Sequence, residues 1–516
     1  MKKLFAVILV LLFATPCFAA DYYVAQTAAG SGNGTSCGNA DALADLSWGA
    51  GNMVAPGDTL HLCGTLTSQL VLGASGTNNT TGRITIKFED NAKFSAAYWG
   101  TTTDAAIYGT GKSYLLIDGG TNGIIECSAN GTALANQQNA SGIYLTDATN
   151  VEIKKITAQT LYVRTANSAD ANYYGVAVYF NNSSSDISVH DCNLSDSGAG
   201  IYAEFGVGGQ NLSFYNNTMD DFGQGVLVAA RGAGATMSSL LIYNNNLHKS
   251  FTWSGNASIH TNGIHIFTDD GGATSSLTGL RIYGNTITGV CGTNSTSLGM
   301  FIESYSDANT IVAPRIYNNV FAYDSNPGEG CGNGVILMER PYQAVIANNT
   351  FYSPTADFSN DISLGFYDEQ TEGNIVVNNL HENSFMPVQM ALGTDAVDVC
   401  NYNAYPSSAG IRFNYGSYAQ YVYTYPPSGG WKEVSGFDVN SIQAASYINS
   451  TTYKLSVGST AIGAGCSTNC GGVDLTAYFT TDKDGNTRTG TWDIGAMEYY
   501  EQGNKHGVTS MGVSKK

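Results

Sequence analysis

Residues 212–219 read LSFYNNTM, and close variants return at LLIYNNNL (240–247), LRIYGNTI (280–287), PRIYNNVF (314–321), AVIANNTF (344–351) and NIVVNNLH (374–381). Weaker copies precede them at VEIKKITA (151–158) and ISVHDCNL (187–194). Aligned on the second asparagine, the copies fall at 156, 192, 217, 245, 285, 319, 349 and 379, giving intervals of 36, 25, 28, 40, 34, 30 and 30. A constant core pattern at unequal spacing marks stacked repeats whose loops differ in length.

A second strand precedes most copies: GIYL (142–145), GVAV (175–178), GIYA (200–203), GVLV (225–228), GIHI (263–266), GMFI (299–302) and GVIL (334–337). Glycine opens each one, as a tight bend at a corner would require. The apolar second and fourth places then face one side. Two or three short strands per coil predict a parallel β-solenoid, with like side chains of successive coils about 4.8 Å apart in columns. Asn217, Asn245, Asn285, Asn319, Asn349 and Asn379 would form one inward column, each amide bonding main chain and the next amide. A buried amide left without such partners costs about 1–3 kcal/mol.

Composition agrees with an all-β chain rich in turns: only 12% of the residues are charged, and Gly numbers 61. The net charge of −19 argues against nucleic acid, which needs a basic face. It also disfavours a polyanionic partner unless a cation or a local basic patch intervenes. The opening MKKLFAVILVLLFATPCFAA has the basic start, apolar centre and small-residue end of a signal peptide over residues 1–19. Cys17 lacks the residues that precede a lipid-modified cysteine, so a secreted protein, extracellular or periplasmic, is expected, with no membrane insertion after cleavage. Nine cysteines then remain, and Cys37/Cys63, Cys291/Cys331 and Cys466/Cys470 are plausible disulfides. The cysteine spacings match no zinc pattern. NADALADLSWGAG (39–51) is expected to form a short capping helix that turns Leu43 and Leu46 inward at the open end.

The front end DYYVAQTAAGSGNG, APGDTLHLCGTLTSQLVL and GRITIKF, the Asn-Asn coils, and the tail segments GFDVNS (436–441), SVGSTAIGAG (456–465) and TTDKDGNTRTGTWDIGAMEY (480–499) together resemble secreted bacterial proteins of the pectin-lyase-like superfamily. The resemblance spans nearly all of the mature chain. It implies an all-β, right-handed parallel β-helix over 20–393, an irregular closing segment over 394–500 packed on or continuing it, and a flexible tail over 501–516. It implies carbohydrate as ligand, in lyases, hydrolases, epimerases or members without activity. The catalytic signatures of alginate epimerases, pectate lyases and polygalacturonases do not carry over: Glu339-Arg340-Pro341-Tyr342 and Asp269-Asp270 are fragments at most. A shared fold does not fix the reaction.

HTNGIHIFTDDGG (260–272) places two histidines and two aspartates within thirteen residues of a chain otherwise poor in charge. With Ile264 and Ile266 inward, His265 and Phe267 face out, in a column with Tyr144, Tyr202, Leu227, Phe301 and Ile336. Glu204, Arg231, Asp269, Asp270, Glu303, Glu339, Arg340, Asp368 and Glu369 border it. An aromatic stripe edged by carboxylates and arginines suits sugars. The catalytic candidates are His265, Asp269, Glu303, Glu339 and Arg340. The substrate-binding candidates are Tyr202, Glu204, Arg231, Trp253 and Phe301, with Phe251, Trp253 and His260 walling a groove. Carboxylates on adjacent coils would lie about 5 Å apart and two coils apart about 10 Å, separations that bracket the retaining and inverting geometries of glycoside hydrolysis, and Asp269, Glu303 and Glu339 fall on three successive coils at slightly offset places. A lyase would use a base and a cation instead. Asp482–Asn486 has the alternating oxygens of a calcium loop but no distal glutamate, and a turn tied by Arg488 to Asp493 accounts for it as well. No cofactor is required by these readings; calcium is possible, and no metal ligands are assigned. The partner expected is a polysaccharide or cell-surface glycan. The alternative is a non-catalytic surface or matrix solenoid for adhesion or structure.

Overall fold

The structure is a computed structural model that describes residues 19–500 apart from 166–173, 207, 233, 250–252, 254–260, 270–273, 291–298, 305–309, 325–333, 355–359, 366–370, 385, 391–396, 408–409, 416–418, 425–431 and 433–434. Residues 1–18 of the expected signal peptide, the expected tail over 501–516, Phe251, His260, Asp270, Cys291, Cys331, Asp368 and Glu369 lie outside the described residues.

The chain folds as the all-β, right-handed parallel β-helix that the repeats predict. The Leu-x-x-Tyr strands pair in parallel and in register, so Tyr215, Tyr243, Tyr283 and Tyr317 are successive partners. They belong to a 16-stranded sheet that forms the first face. A 24-stranded sheet supplies the second and third faces as two columns, joined where Asn193–Phe205 and Thr218–Arg231 run through both. Strict alternation, as in Ile84–Phe88 where Ile84, Ile86 and Phe88 are buried, fills one continuous core from Val24 to Tyr405.

The asparagine column is present as a ladder. Each amide from Asn217 to Asn349 donates to the side-chain oxygen of the next asparagine at 3.0 Å. The same oxygen also accepts the preceding residue's main-chain N–H, at 3.0–3.1 Å. The second amide hydrogen reaches back to a carbonyl one strand away, Phe214 for Asn245 and Ile242 for Asn285, both at 2.9 Å. Each buried polar atom therefore finds partners in the coils on either side. The ladder runs one rung further than the repeats predict, to Asn403, and ends on Asp438, whose carboxylate accepts from Asn403, Tyr405, Cys400 and Ser441.

The first asparagine of each pair has a different task. Asn318, Asn348 and Asn378 sit in the left-handed region (φ 56°, 51° and 56°), where asparagine is tolerated, and Gly284 takes the same place in its coil. Their amides point out and fasten the closing segment, donating to the carbonyls of Thr481, Asp493 and Cys466. The glycines that open the third-face strands serve close approach rather than a bend. A Cβ on Gly263 would lie 2.7 Å from the carbonyl oxygen of Gly299 on the next coil, and Gly200 meets Gly225 in the same way at 2.8 Å.

The capping helix is replaced by two 3-10 turns, Cys37–Asn39 and Leu43–Asp45, with Asp41–Ala42 pairing onto the first strand. Leu43 still enters the core and Leu46 packs against it, so the plug forms without a helix. The disulfides Cys37–Cys63 and Cys466–Cys470 form, while Cys127, Cys192 and Cys400 are free and buried. Strands Val397–Asn401, Ala404–Pro406 and Ile442–Ala444 continue the coils past residue 393. Residues beyond them lie against the outside of the first and second faces: Phe479 stacks on Tyr317, while Tyr447, Ile448 and Ile494 pack with Leu380 and Ala404. Among the described residues no helix is long and apolar enough to cross a membrane.

Candidate functional site

The third-face strand Ile264–Asp269 buries Ile264 and Ile266 completely and turns His265 and Phe267 outward. Register places Tyr108, Tyr144, Tyr179, Tyr202, Leu227, His265, Phe301 and Leu337 in one outward column. Leu337, not Ile336, is the partner of Phe301, so Ile336 faces the core. This one-residue shift moves every side chain of that strand to the opposite face from the one expected. Two residues along lies a second outward column that includes Asn181, Glu204, Ala229, Phe267, Glu303 and Glu339.

The shift has a chemical consequence: Glu303 and Glu339 are direct partners on adjacent coils rather than offset. Glu339 is half-buried, and its carboxyl is pushed up to about 7, first by burial and then by the like charge of Glu303, with Arg340 opposing. Glu303 is tied to the preceding coil by His265, whose Nε2 lies 3.3 Å from its Oε1. The imidazole stacks on Phe301 at 4.9 Å, which fixes its plane. Arg340 occupies the left-handed region just after the strand (φ 50°) and donates to the Ser304 carbonyl at 2.5 Å. Asp269 pairs with Arg231, two residues beyond the Glu303 column, so it is not a third member of that column.

A second group lies on earlier coils. Glu204 accepts from the Tyr202 hydroxyl and from that of Tyr179 at 3.1 Å, and Arg231 approaches it at 3.7 Å. The Arg231 guanidinium also sits 5.0 Å from the Phe267 ring centre, linking this group to the strand of His265. Tyr179 was not among the sequence candidates. Gly142 aligns with Ala177 rather than Gly175, so the shared Gly-x-x-x pattern is out of register there by two residues. The Tyr-x-Tyr signal of adjacent coils, Tyr144 against Tyr179, points to the correct alignment.

Two expectations change. The aromatic stripe is not an open platform: His265 is 4% exposed, Phe301 3% and Leu337 1%. What reaches solvent is its rim, with the Arg231 side chain 47% exposed, Glu204 23% and Glu303 18%. Trp253 walls no groove. It is fully buried, 6.2 Å from the Tyr162 ring and 6.5 Å from that of Tyr174, with the Arg164 guanidinium 5.0 Å from its centre. Residues 482–486 form a turn, closed by the Gly485 N–H on the Asp482 carbonyl at 3.1 Å. Asp482 accepts from the main chain and amide of Asn486 and from the N–H of Glu498. Arg488 ties this turn as expected, though to the carbonyl of Asp493 and the carboxylate of Glu498. Among the described residues no group of three or more His, Cys, Asp or Glu is placed to hold a metal.

No protein-family model and no curated protein matches the chain. Among solved structures it is similar to pectate lyase Pel9A, at 14% identity over 94% of this chain and 97% of that one, with a TM-score of 0.41. It is also similar to the GH136 lacto-N-biosidase from Eubacterium ramulus (14% identity, 72% of this chain and 67% of that one, TM-score 0.40). A third likeness is to the surface protein and adhesin PfbA of Streptococcus pneumoniae (10% identity, 64% and 87%, TM-score 0.36). At such identities a likeness speaks of fold alone, so the chemistry of this parallel β-helix has to be argued from its own side chains.

Proposed function

We propose that this chain is an exported β-helix protein that binds a polysaccharide or cell-surface glycan along the rim of its third face and hydrolyses it through Glu339 and Glu303. The observation that carries the reading is the in-register carboxylate pair, one member of which is half-buried and pushed up to about 7. Paired carboxylates whose environments differ are how one site supplies both an acid and a base or nucleophile. Glu339 acts as the general acid and gives its proton to the glycosidic oxygen. Glu303, oriented by His265, attacks the anomeric carbon as the glycosidic C–O bond breaks and the protonated leaving group departs; Glu339 then deprotonates a water that displaces Glu303 from the anomeric carbon. Adjacent coils are about 4.8 Å apart, which fits the separation of roughly 5–5.5 Å used by retaining enzymes. Glu204, Tyr202 and Arg231 extend the rim as sugar-binding groups. Calcium remains a possible addition without assigned ligands.

A second reading, a non-catalytic surface or matrix solenoid, is favoured by the near-complete covering of His265, Phe301 and Leu337. The deciding experiment is a panel of plant, algal and bacterial polysaccharides assayed for new reducing ends and for unsaturated, ultraviolet-absorbing ends. Hydrolysis gives the first without the second. Absence of product across the panel, or a rate unaltered in both Glu339→Gln and Glu303→Gln, would leave the non-catalytic reading standing.

A further inference from the structure

The N-terminal end of the first face holds a buried carboxylate that the glycan site does not use. Asp58 ends the turn 55–58, in which its own N–H bonds the Ala55 carbonyl at 3.1 Å, and it is only 4% exposed. One oxygen, Oδ2, accepts the Ala55 N–H at 2.8 Å and completes that turn. The other, Oδ1, reaches across to the first strand and accepts from the main-chain nitrogen of Ala20 at 2.7 Å. Among the described residues no ion pair includes Asp58; close by in sequence, His61 is shared between Asp21 at 3.0 Å and Glu89 at 2.6 Å. A carboxylate buried without a counter-charge is costly, so a cation is needed where Oδ1 points.

Ala20 is held on both sides. Its carbonyl accepts the Thr59 N–H at 2.8 Å, and the strand Asp21–Ala25 then runs in register with Thr59–Leu62. The Cys37–Cys63 bridge closes the far end of this strand pair and the Asp58 carboxylate closes the near end. Ala19 is exposed and Ala20 partly buried, so the chain enters the fold at the bond between them. That bond also has the sequence of a cleavage site. Cys17-Phe18-Ala19 puts small residues first and third before it, whereas a cut one residue later would put Phe18 third. The nitrogen that meets Asp58 is therefore the one that removal of the leader would free.

We infer that Ala19–Ala20 is the processing site and that Asp58 is the built acceptor for the new terminus, so that hydrolysis of this bond completes the first coil. Water adds to the Ala19 carbonyl carbon and the C–N bond breaks. The leader departs with a carboxylate, and the Ala20 nitrogen takes up a proton to become an ammonium paired with Asp58. Before the cut that nitrogen is a neutral amide, which gives Asp58 a hydrogen bond but no charge. After it the bond is charge-assisted and shielded from water, which makes it roughly twice as strong. A terminal coil has a neighbour on one side only and is the part of a solenoid most easily opened, so its fastening matters most there. The inference rests on the export contained in the proposed function and not on Glu303 or Glu339.

Two measurements test it. N-terminal sequencing of the exported chain gives Ala20 as the first residue. Amide hydrogen exchange then compares chains beginning at Ala20 and at Ala19, the second of which has an amide at Ala20 and its ammonium one residue further out. The extra residue speeds exchange in Asp21–Ala25 and Thr59–Leu62 by about tenfold and leaves Thr236–Tyr243, on a later coil, unchanged. This comparison alters no side chain, so it decides by itself should Asp58→Asn fail to fold. Where Asp58→Asn folds, it speeds exchange as much in the chain from Ala20, and the extra residue then has no further effect. A different first residue, equal exchange in the two chains, or an effect of the extra residue that persists in Asp58→Asn would each overturn the assignment. Each of these outcomes leaves the glycan site standing, and loss of the glycan site leaves each of them unchanged.

Discussion

Two outward aromatic columns climb this solenoid, and they differ in regularity. On the first face the rings from His190 to Phe479 follow one another at 4.4–5.0 Å, each within 6° of parallel. On the third face Tyr108 and Tyr144 are 6.0 Å apart, Tyr144 and Tyr179 are tilted by 63°, and Leu227 interrupts the rings before His265 and Phe301. The regular column is explained by packing alone, since each stacked pair adds about 0.5–1.5 kcal/mol beyond its buried area. The irregular one has given up that repetition, and beside it stand Glu204, Glu303 and Glu339. In a fold built by repetition, chemistry is to be sought where the repeat is broken by groups that cannot stack.

The most severe way to break this contrast is by activity. Glu339→Gln should lower the hydrolytic rate by about 10²–10⁴, the worth of a positioned general acid. Tyr243→Leu, in the regular column, should lower the melting temperature and leave the rate within about threefold. Equal losses of rate in the two variants would show that the columns do not divide structure from chemistry.

The pH dependence of stability sharpens the same point. Glu339 takes up its proton more readily in the folded state, at about 7, than an ordinary glutamate, at 4.5. Its stabilising contribution is therefore complete below the unfolded value and is lost as pH rises through about 7. Glu339→Gln cannot ionise, so its advantage over the wild type should grow across that window, by about 1–2 kcal/mol once solvent screening of a half-buried carboxyl is allowed for. Urea unfolding at several pH values checks this; a constant difference would mean that folding leaves the proton affinity of Glu339 unchanged. The corresponding change at the ladder, Asn285→Ala, should cost about 1–3 kcal/mol at every pH, because it strands the main chain and amide of Asn245. Asn78→Ala should cost less, since Asn78 is exposed and holds only its own loop through Thr80 and Gly82.

The solenoid was legible because a fold built by stacking writes the same physical demand into every coil. The inward amide is required wherever a polar turn is buried, so six asparagines appear in one register. The rung at Asn403 escaped because its coil reads NYNAY, with Tyr402 rather than asparagine in the left-handed place. The site was half legible. His265, Glu303 and Glu339 were identified from residue type, but their pairing depended on register, and a strand pattern read one residue out inverts its faces. Trp253 was misplaced because loop length says how much chain surrounds a residue and nothing of which side it packs on. The fastening of the closing segment by Asn318, Asn348 and Asn378 was hidden behind the ladder, since both asparagines of a pair look alike in sequence.

The finest distinction between the columns is a single hydroxyl. Tyr202 donates to Glu204, whereas no hydrogen bond joins the Tyr243 hydroxyl to the described residues, although both rings are stacked. Tyr202→Phe leaves the ring in place and removes the donor, which should cost about 1 kcal/mol of stability. It also frees one lone pair of Glu204 for a ligand hydroxyl. Tyr243→Phe should be neutral within about 0.5 kcal/mol. Denaturant midpoints of the two variants measure the difference directly. If they shift alike, Glu204 gains nothing from its tyrosine, and the irregular column differs from the regular one only in appearance.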